Sequence, residues 1–423
     1  MTDTIYALSS GAPPAAIAVV RISGPRADAA LETLAGTLPA PRTAKLAILR
    51  DDDEVLDNAL ILRFPGPQSA TGEDVAELHL HGGRSVVAAV LAALAQIDGL
   101  RAAEPGEFTR RAFECGRIDL AEAEGLADLL SAETESQRRA ALALAGGALS
   151  RQVETWRQAL LAVAARIEAV LDFSDEGDVD VAPNDFAPDI AALADEIDAW
   201  LARPSAERLR DGVRVVIAGP PNSGKSSLIN ALAGREAAII SDIPGTTRDV
   251  IEVPVAIGGT PFLLADTAGL RASGDAIETI GVERARGSIA AADILLWLGD
   301  PDACPAPART ILVQPKADLL PPARRADVIV SAVTGQGLDD LAQELRGRAS
   351  RLLPAEGEVA LNARHRAALA DLAGWLREGQ ATSDPLIVAE AMRQARVALD
   401  RITGRAGVED MLDALFSRFC IGK

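Results

Sequence analysis

Residues 219–226 read Gly-Pro-Pro-Asn-Ser-Gly-Lys-Ser, the spacing of a loop that wraps phosphates. Backbone N–H groups from Asn222 through Ser223 and Gly224 to Lys225 can converge on phosphate oxygens. The Lys225 ammonium can neutralise the β and γ oxygens, and the Ser226 hydroxyl, next to Ser227, can ligate magnesium. The loop lies between an apolar run, Val213 to Ala218, and a helical run starting at Lys225, which is the strand, loop and helix setting this chemistry needs. Asp266-Thr267-Ala268-Gly269 follows another apolar run, in the order expected of a magnesium-side aspartate and a glycine whose amide senses the γ-phosphate. Between them, Ser241-Asp242-Ile243-Pro244-Gly245-Thr246-Thr247-Arg248 places hydroxyls where a switch loop would complete the magnesium shell. A structural glycine turn would explain the first loop alone, but not two motifs in this order. The pattern therefore points to a nucleoside triphosphate held with magnesium.

Guanine is selected in such sites by Asn-Lys-x-Asp at a strand end. Here the stretch is Gln314-Pro315-Lys316-Ala317-Asp318. Asp318 can accept two hydrogen bonds from the base and Lys316 can pack over the nucleotide, whereas Pro315 supplies no side-chain amide. GTP is favoured, with weakened affinity expected from Pro315. Ser331-Ala332, before Gly335-Gln336-Gly337, fits the last base-contacting element. Hydrolysis also needs an oriented water and positive charge at the developing β–γ oxygen. Leu270 follows Gly269, and an apolar side chain cannot orient water. Catalysis must then come from a bound cation, a trans-acting group or a remote acid, for which Asn222 and Glu278 are the candidates.

The elements that position these residues can be read from texture. A chain of 423 residues with 48% apolar and 24% charged residues is too long for one ordinary core and calls for two or three domains. Residues 1–118 mix β-rich runs (Ile17 to Ile22, Ala59 to Phe64, Val75 to His81) with a helical stretch, Arg84 to Gln96, as an α+β N-terminal domain would. Residues 119–210 have helical spacing, broken at Gly146-Gly147 and by an acidic loop from Phe173 to Asp185. Residues 211–348 alternate strand-like runs with helices (Val213 to Ala218, Val250 to Ile257, Pro261 to Ala265, Ile294 to Leu298, Thr310 to Gln314, Asp327 to Ser331), as a doubly wound sheet requires. Helical texture returns over 349–423. The expected fold is an α+β N-terminal domain, a discontinuous helical-bundle domain and an inserted α/β P-loop GTPase domain, since the ends of an insertion can lie close together. No run of 18 apolar residues could span a membrane. The N-terminus carries no secretory signal and only Cys115, Cys304 and Cys420 occur, so a cytoplasmic protein is expected. A net charge of −19 opposes non-specific attraction to nucleic acid, so an RNA partner must be met locally or through another subunit.

With these residues assembled, the chain resembles the MnmE (TrmE) family of tRNA-modification GTPases over essentially its full length. Beyond the GTPase segment, the resemblance rests on Arg21-Ile22-Ser23-Gly24-Pro25, Thr71-Gly72-Glu73-Asp74-Val75, His81-Gly82-Gly83 and the stretch from Pro105 to Phe113. Asp119-Leu120-Ala121-Glu122-Ala123-Glu124 and the terminal Cys420-Ile421-Gly422-Lys423 add to it. The resemblance implies a folate-binding first domain that also makes a homodimer, with a tetrahydrofolate derivative (5-formyl or methylene) held by Arg21, Glu77, Arg117 and Lys423. Arg117 stands where the family often has Lys, which keeps charge but changes hydrogen-bond geometry. It also implies an FAD-containing partner, MnmG, in a heterotetramer that modifies the wobble uridine of certain tRNAs by adding a carboxymethylaminomethyl or aminomethyl group to C5. In the GTPase domain it puts potassium on Asn222, Ser241, Ile243 and Thr246, and magnesium on Ser226 and Thr247. The potassium ion would stand where an arginine finger's charge would otherwise sit. Glu278 matches the family acid that orders the attacking water; its plain alternative is an ordinary helix-surface charge. The early loop, usually Gly-Arg-Gly-Gly in the family, here reads Ala12-Pro13-Pro14-Ala15-Ala16.

Cys420, after Phe416 and Phe419, is either a packed thiol or, as the resemblance implies, a group assisting the one-carbon or uridine chemistry. His79 and His81 alternate on one strand face, yet no third ligand has metal spacing, so both are read as satisfied polar residues near the folate pocket. The acidic run Asp172 to Asp180 is read as a solvated loop. A competing reading is a switch GTPase of the Era-like type, acting in ribosome assembly without one-carbon chemistry; a recognisable RNA-binding module beside the GTPase segment would favour it, and none is visible. A folate scaffold whose GTPase domain has decayed at Pro315 is opposed by Lys225, Ser226, Thr247 and Asp266.

Overall fold

The computed structural model describes residues 3–173, 186–235, 237–238, 252–266, 286–323, 325–355, 357–406, 409–417 and 419–422. The chain gathers into two compact units, Met1–Ala127 with Asp400–Lys423, and Asp128–Leu399.

In the first unit six strands form one sheet in the order β3-β4-β5-β2-β1-β6: β1 (Thr4–Leu8), β2 (Ile17–Ser23), β3 (Lys45–Asp51), β4 (Glu54–Phe64), β5 (Val75–His81) and β6 (Leu100–Ala102). All neighbours are antiparallel except β1 and β6. Period-two alternation decides the two faces. Ala18, Val20 and Ile22 of β2 point with Leu78 and Leu80 of β5 and Ile61 of β4 into a core closed by α1 (Ala27–Ala35) and α2 (Arg84–Ala95). The opposite parity carries Arg21, Glu77 and His79. The three strands and the helix expected from sequence are present, with ends shifted by a few residues. β1, β3, β6 and α1 are additions. β1 is buried from Thr4 to Ala7 and so lacks the alternation that marks a half-exposed strand.

After α3 (Glu107–Glu114), the chain's last residues return to this unit. Phe416 and Phe419 pack with Leu120 and Ala123, and Ile421 pairs with Pro105. Gly106 makes this approach possible. It takes φ +71°, and a Cβ there would lie 2.2 Å from the Phe416 carbonyl oxygen.

The second unit opens on helices. α4 (Leu120–Leu130) leads into it, followed by α5 (Glu135–Ala145), α6 (Ala148–Phe173), α7 (Ala187–Leu201) and α8 (Glu207–Asp211). The break between α5 and α6 falls at Gly146-Gly147, as the sequence indicates. Trp156 and Trp200 meet edge to face, with centroids 5.1 Å apart. A seven-stranded sheet follows in the order β13-β12-β11-β7-β10-β9-β8. Its strands are β7 (Val213–Ala218), β8 (Ala237–Ala238), β9 (Glu252–Ile257), β10 (Thr260–Asp266), β11 (Ile294–Trp297), β12 (Thr310–Gln314) and β13 (Val328–Ile329). The run from β13 to β10 is parallel, while β9 and β8 add antiparallel strands at one edge. Four residues of β7 are fully buried because both sheet faces are covered, so it reads as an unbroken apolar run. α9 (Lys225–Arg235) and α10 (Leu338–Ala349) are amphipathic and place Leu228, Leu232, Leu341 and Leu345 in this core. α11 (Ala363–Gln380) starts at a reciprocal cap between Asn362 and His365, then α12 (Pro385–Thr403) and α13 (Glu409–Phe416) complete the described helices.

Candidate functional site

β7 is flanked by β10 and β11, and its C-terminal end delivers the phosphate loop. Asn222 takes a left-handed φ of +56°, an uncommon state for a residue with a side chain. Gly224 takes +97°, which costs a glycine little. Lys225 opens α9 and is buried; its ammonium donates to the carbonyls of Gly219 (3.1 Å) and Pro220 (2.9 Å). Ser226 Oγ donates to Asp266 Oδ2 at 2.7 Å, so the magnesium-side hydroxyl and carboxylate meet across neighbouring strand ends. Ser227 follows on the exposed side of α9. Ser223 Oγ is buried without a hydrogen-bond partner in the loop, an orphaned polar atom of the kind a phosphate oxygen satisfies. Hard oxygen donors beside a buried ammonium fit a magnesium-bound triphosphate.

The candidate base rim is assembled from the ends of β12 and β13. Lys316, at φ +59°, donates from Nζ to the Asn222 carbonyl at 2.9 Å and so ties the rim to the phosphate loop. Asp318 Oδ1 accepts from the buried Ser331 Oγ at 2.6 Å. Ala332 follows Ser331 directly, so these four candidate residues lie at the ends of the neighbouring strands β12 and β13. Of the remaining nucleotide and metal candidates, Ser241, Asp242, Ile243, Pro244, Gly245, Thr246, Thr247, Thr267, Ala268, Gly269 and Glu278 lie outside the described residues, as do Leu270 and Lys423.

In the first unit, Arg21 and Glu77 stand directly opposite each other on β2 and β5. Arg21 donates from Nε (3.0 Å) and Nη2 (2.9 Å) to the same oxygen, Glu77 Oε1. Oε2 is left to His79 Nε2 at 3.3 Å. Glu77 and Arg117 line one cavity of about 590 Å³ with Arg42, Phe64, Gln68, Ser69, Ala70 and Val75. Arg117 Nε donates to the Ser69 carbonyl at 3.2 Å, and the Arg42 guanidinium lies 5.7 Å from the centre of the Phe64 ring. A carboxylate, guanidinium groups and an aromatic ring around such a volume fit a flat heterocycle with N–H donors and an anionic tail. Arg42 and Phe64 escaped the sequence reading because neither belongs to a motif; only the register of β4 against β5 brings Phe64 beside Val75. Cys420 is exposed and does not line this cavity.

Two further polar groups have partners that the sequence did not reveal. His81 Nδ1 meets Asp57 Oδ1 at 2.7 Å and its backbone N–H donates to Oδ2. Burial pushes the Asp57 carboxyl up, but those hydrogen bonds and one from Asn58 N–H outweigh it and hold it below the usual range. Arg111 is 1% exposed, with its guanidinium against Asp3, Glu73 and Glu107.

Residues 4–117 match the family of the GTP-binding protein TrmE N-terminus, and residues 120–420 match the MnmE helical domain. The chain is similar to the tRNA modification GTPase MnmE of Rhizorhabdus wittichii, 61% identical over all of this chain and 97% of that protein. It is also similar to that of Erythrobacter litoralis, 58% identical over the whole of both. Among solved structures, Aquifex aeolicus Era bound to GDP·AlF4⁻ is 26% identical over 38% of this chain and 66% of that one, with a TM-score of 0.26. Matched in both characteristic domains and more than half identical to relatives along its whole length, the chain belongs to the MnmE family of tRNA modification GTPases.

Proposed function

We propose that the chain hydrolyses GTP to time the addition of a carboxymethylaminomethyl or aminomethyl group to C5 of the wobble uridine in certain tRNAs. The Ser226–Asp266 contact at 2.7 Å is the observation that carries the nucleotide half of this reading, because it joins the phosphate loop to the end of β10. In the proposal Asn222, Ser223, Gly224, Lys225, Ser226 and Ser227 hold the phosphates, Ser226 and Thr247 hold magnesium, and Asp266 to Gly269 sense the γ-phosphate. Lys316, Asp318, Ser331 and Ala332 hold guanine. Potassium, on Asn222, Ser241, Ile243 and Thr246, supplies positive charge at the β–γ bridge, and Glu278 orders the attacking water.

The test is GTP turnover in potassium against sodium buffer. Turnover is expected to be about tenfold or more faster in potassium, with Asn222→Ala losing the difference. Equal wild-type rates in the two salts would remove potassium from the mechanism while leaving the GTPase in place.

The first-unit cavity supports the second half of the reading. Arg21, Glu77, Arg117 and Lys423 hold a tetrahydrofolate derivative, which supplies the one-carbon unit, and Cys420 assists that chemistry or the uridine's. Glu77→Gln is expected to weaken binding of 5-formyl-tetrahydrofolate by about tenfold or more, since hydrogen bonds to a charged group contribute about 1.5–3 kcal/mol. GTP turnover should not change. A calorimetric titration in which the variant binds as wild type does would remove Glu77 from the site.

Partners follow from the surfaces. Ile17, Leu46, Ile48, Val55 and Leu60 are all exposed on the first unit's sheet, which supports homodimerisation through that unit. The chain forms a heterotetramer with an FAD-containing MnmG-like protein, and that partner carries most of the tRNA contact, given this chain's net charge of −19. No described helix is long and apolar enough to cross a membrane, and a cytoplasmic location is proposed. The helical-domain match across 120–420 supports reading residues 211–348 as an insertion between 119–210 and 349–423, after a first domain of 1–118.

A further inference from the structure

Guanine offers donors at N1 and its exocyclic amine, and acceptors at O6 and N7. A site that reads all four needs a carboxylate and two N–H donors. At the rim described above, Asp318 is fixed by Ser331 through one oxygen, and its other oxygen has no hydrogen-bond partner among the described residues. Donors are scarcer. Lys316 Nζ spends one of its three donors on the Asn222 carbonyl, which keeps this ammonium at the phosphate loop. The Gln314 amide is turned away, with Nε2 donating to the Pro321 carbonyl (2.8 Å) and Oε1 accepting from Ala323 N–H (2.5 Å). The Ser331 N–H donates to the Gln336 carbonyl at 2.9 Å. Ala332 N–H remains uncommitted among the described residues. Pro315, in the middle of this group, has neither an N–H nor a side-chain donor. It also faces the phosphate loop, since a Cβ on Gly224 would lie 3.8 Å from Pro315 Cβ.

We propose that this chain recognises guanine through N1, the exocyclic amine and O6 while leaving N7 unread, and that Pro315 is the residue responsible. O6 rather than N7 takes the Ala332 N–H because O6 neighbours N1, and Ala332 follows the serine that fixes the N1-reading carboxylate. The fold tolerates proline here for a separate reason. The ladder passes from the Gln314 carbonyl, which accepts from Val330 N–H, to Ala317 N–H, which donates to the Val330 carbonyl, so position 315 has no N–H to contribute. Gln314, the last residue of β12, is already extended, the state a residue before proline prefers.

The inference rests on the GTP reading, and the test separates the two. Displacement of a fluorescent GDP from the full-length protein is measured with GDP, 7-deaza-GDP and inosine diphosphate. In 7-deaza-GDP a C–H replaces N7; inosine diphosphate lacks the exocyclic amine. Wild type is expected to bind 7-deaza-GDP within about twofold of GDP, and inosine diphosphate about tenfold or more weakly as Asp318 loses a partner. Pro315→Asn is expected to acquire a preference of about fivefold for GDP over 7-deaza-GDP. Wild-type discrimination of fivefold or more against 7-deaza-GDP overturns the proposal alone, as does a Pro315→Asn protein that gains no preference. Absence of GDP binding by wild type overturns the nucleotide reading and this proposal with it.

Discussion

Lys225→Ala is expected to lower GTP turnover by about a hundredfold or more and to weaken nucleotide binding with it. The reason lies in how the ammonium is held. Lys225 is 8% exposed, and its Nζ donates to two carbonyls of its own loop, so its charge is already placed when phosphate oxygens arrive. Preorganised charge of this kind costs no reorganisation during reaction. Removing it leaves the triphosphate facing the Gly219 and Pro220 carbonyls without the buried ammonium, with backbone dipoles and the proposed magnesium and potassium ions to offset its charge. Lys225→Arg should not restore activity, because a planar guanidinium is too wide for a buried site built around a compact ammonium. Ser226→Ala should be milder, raising the magnesium concentration needed for half-maximal rate, because Asp266 remains. Single-turnover hydrolysis with a fluorescent-nucleotide titration separates these effects, and a Lys225→Ala protein turning over within threefold of wild type would contradict the assignment.

Arg111→Met should destabilise the first unit by about 3–5 kcal/mol, the usual cost of removing one partner from a buried charge cluster. Arg111 donates to the Asp3 carbonyl (3.0 Å), to both Glu73 oxygens (3.2 and 3.1 Å), to Asp3 Oδ1 (3.0 Å) and to Glu107 Oε1 (3.0 Å). It thereby joins the strand at the N-terminus, the 71–74 turn and α3. Methionine fills similar volume but leaves Glu73 and Glu107 without that cation. Lysine should not rescue, because one ammonium cannot span acceptors arranged around a guanidinium. Hydrogen exchange read on separate peptides is the suitable measurement, since all four tryptophans lie within 128–399 and report on the other unit. Protection of β1 and β2 should fall by about two to four orders of magnitude while β7 and β10 keep theirs. Unchanged protection in β1 and β2 would contradict the prediction.

The same cluster sets an acid limit. Burial pushes the Glu107 carboxyl up, but hydrogen bonds from Arg101, Glu104 N–H and Arg111 outweigh it and hold it below its ordinary 4.5. A carboxyl depressed in the folded state contributes stability above 4.5 and loses that contribution as pH falls through its folded value. Arg111→Met removes one of the depressing groups and should flatten this part of the acid transition.

Much of the nucleotide site was legible in the sequence because it is built from contiguous stretches. A loop at a strand end carries its chemistry in adjacent residues, so Gly219 to Ser226, Asp266 and Lys316 to Asp318 could be read without knowing the sheet order. The strands that hold them were legible for a related reason: in a sheet covered on both faces, buried parallel strands are short unbroken apolar runs. The cavity proposed above for a tetrahydrofolate derivative was legible only in part. Arg21, Glu77 and Arg117 came through the family resemblance, while Arg42 and Phe64 depend on which strands pair and in what register, and residue types in one line of text do not encode that.

The sequence by itself determined that a triphosphate-binding loop sits on a doubly wound segment among helical stretches, because local spacing and periodicity carry that information. Only the tertiary structure decided that Ser226 meets Asp266 across strand ends, that Arg111 is a buried hub joining three distant segments, and that the chain's last residues close onto its first unit rather than onto 128–399. Those outcomes depend on contacts between residues tens to hundreds of positions apart. Burial and register choose such contacts once the whole core has formed, and no local pattern fixes them beforehand.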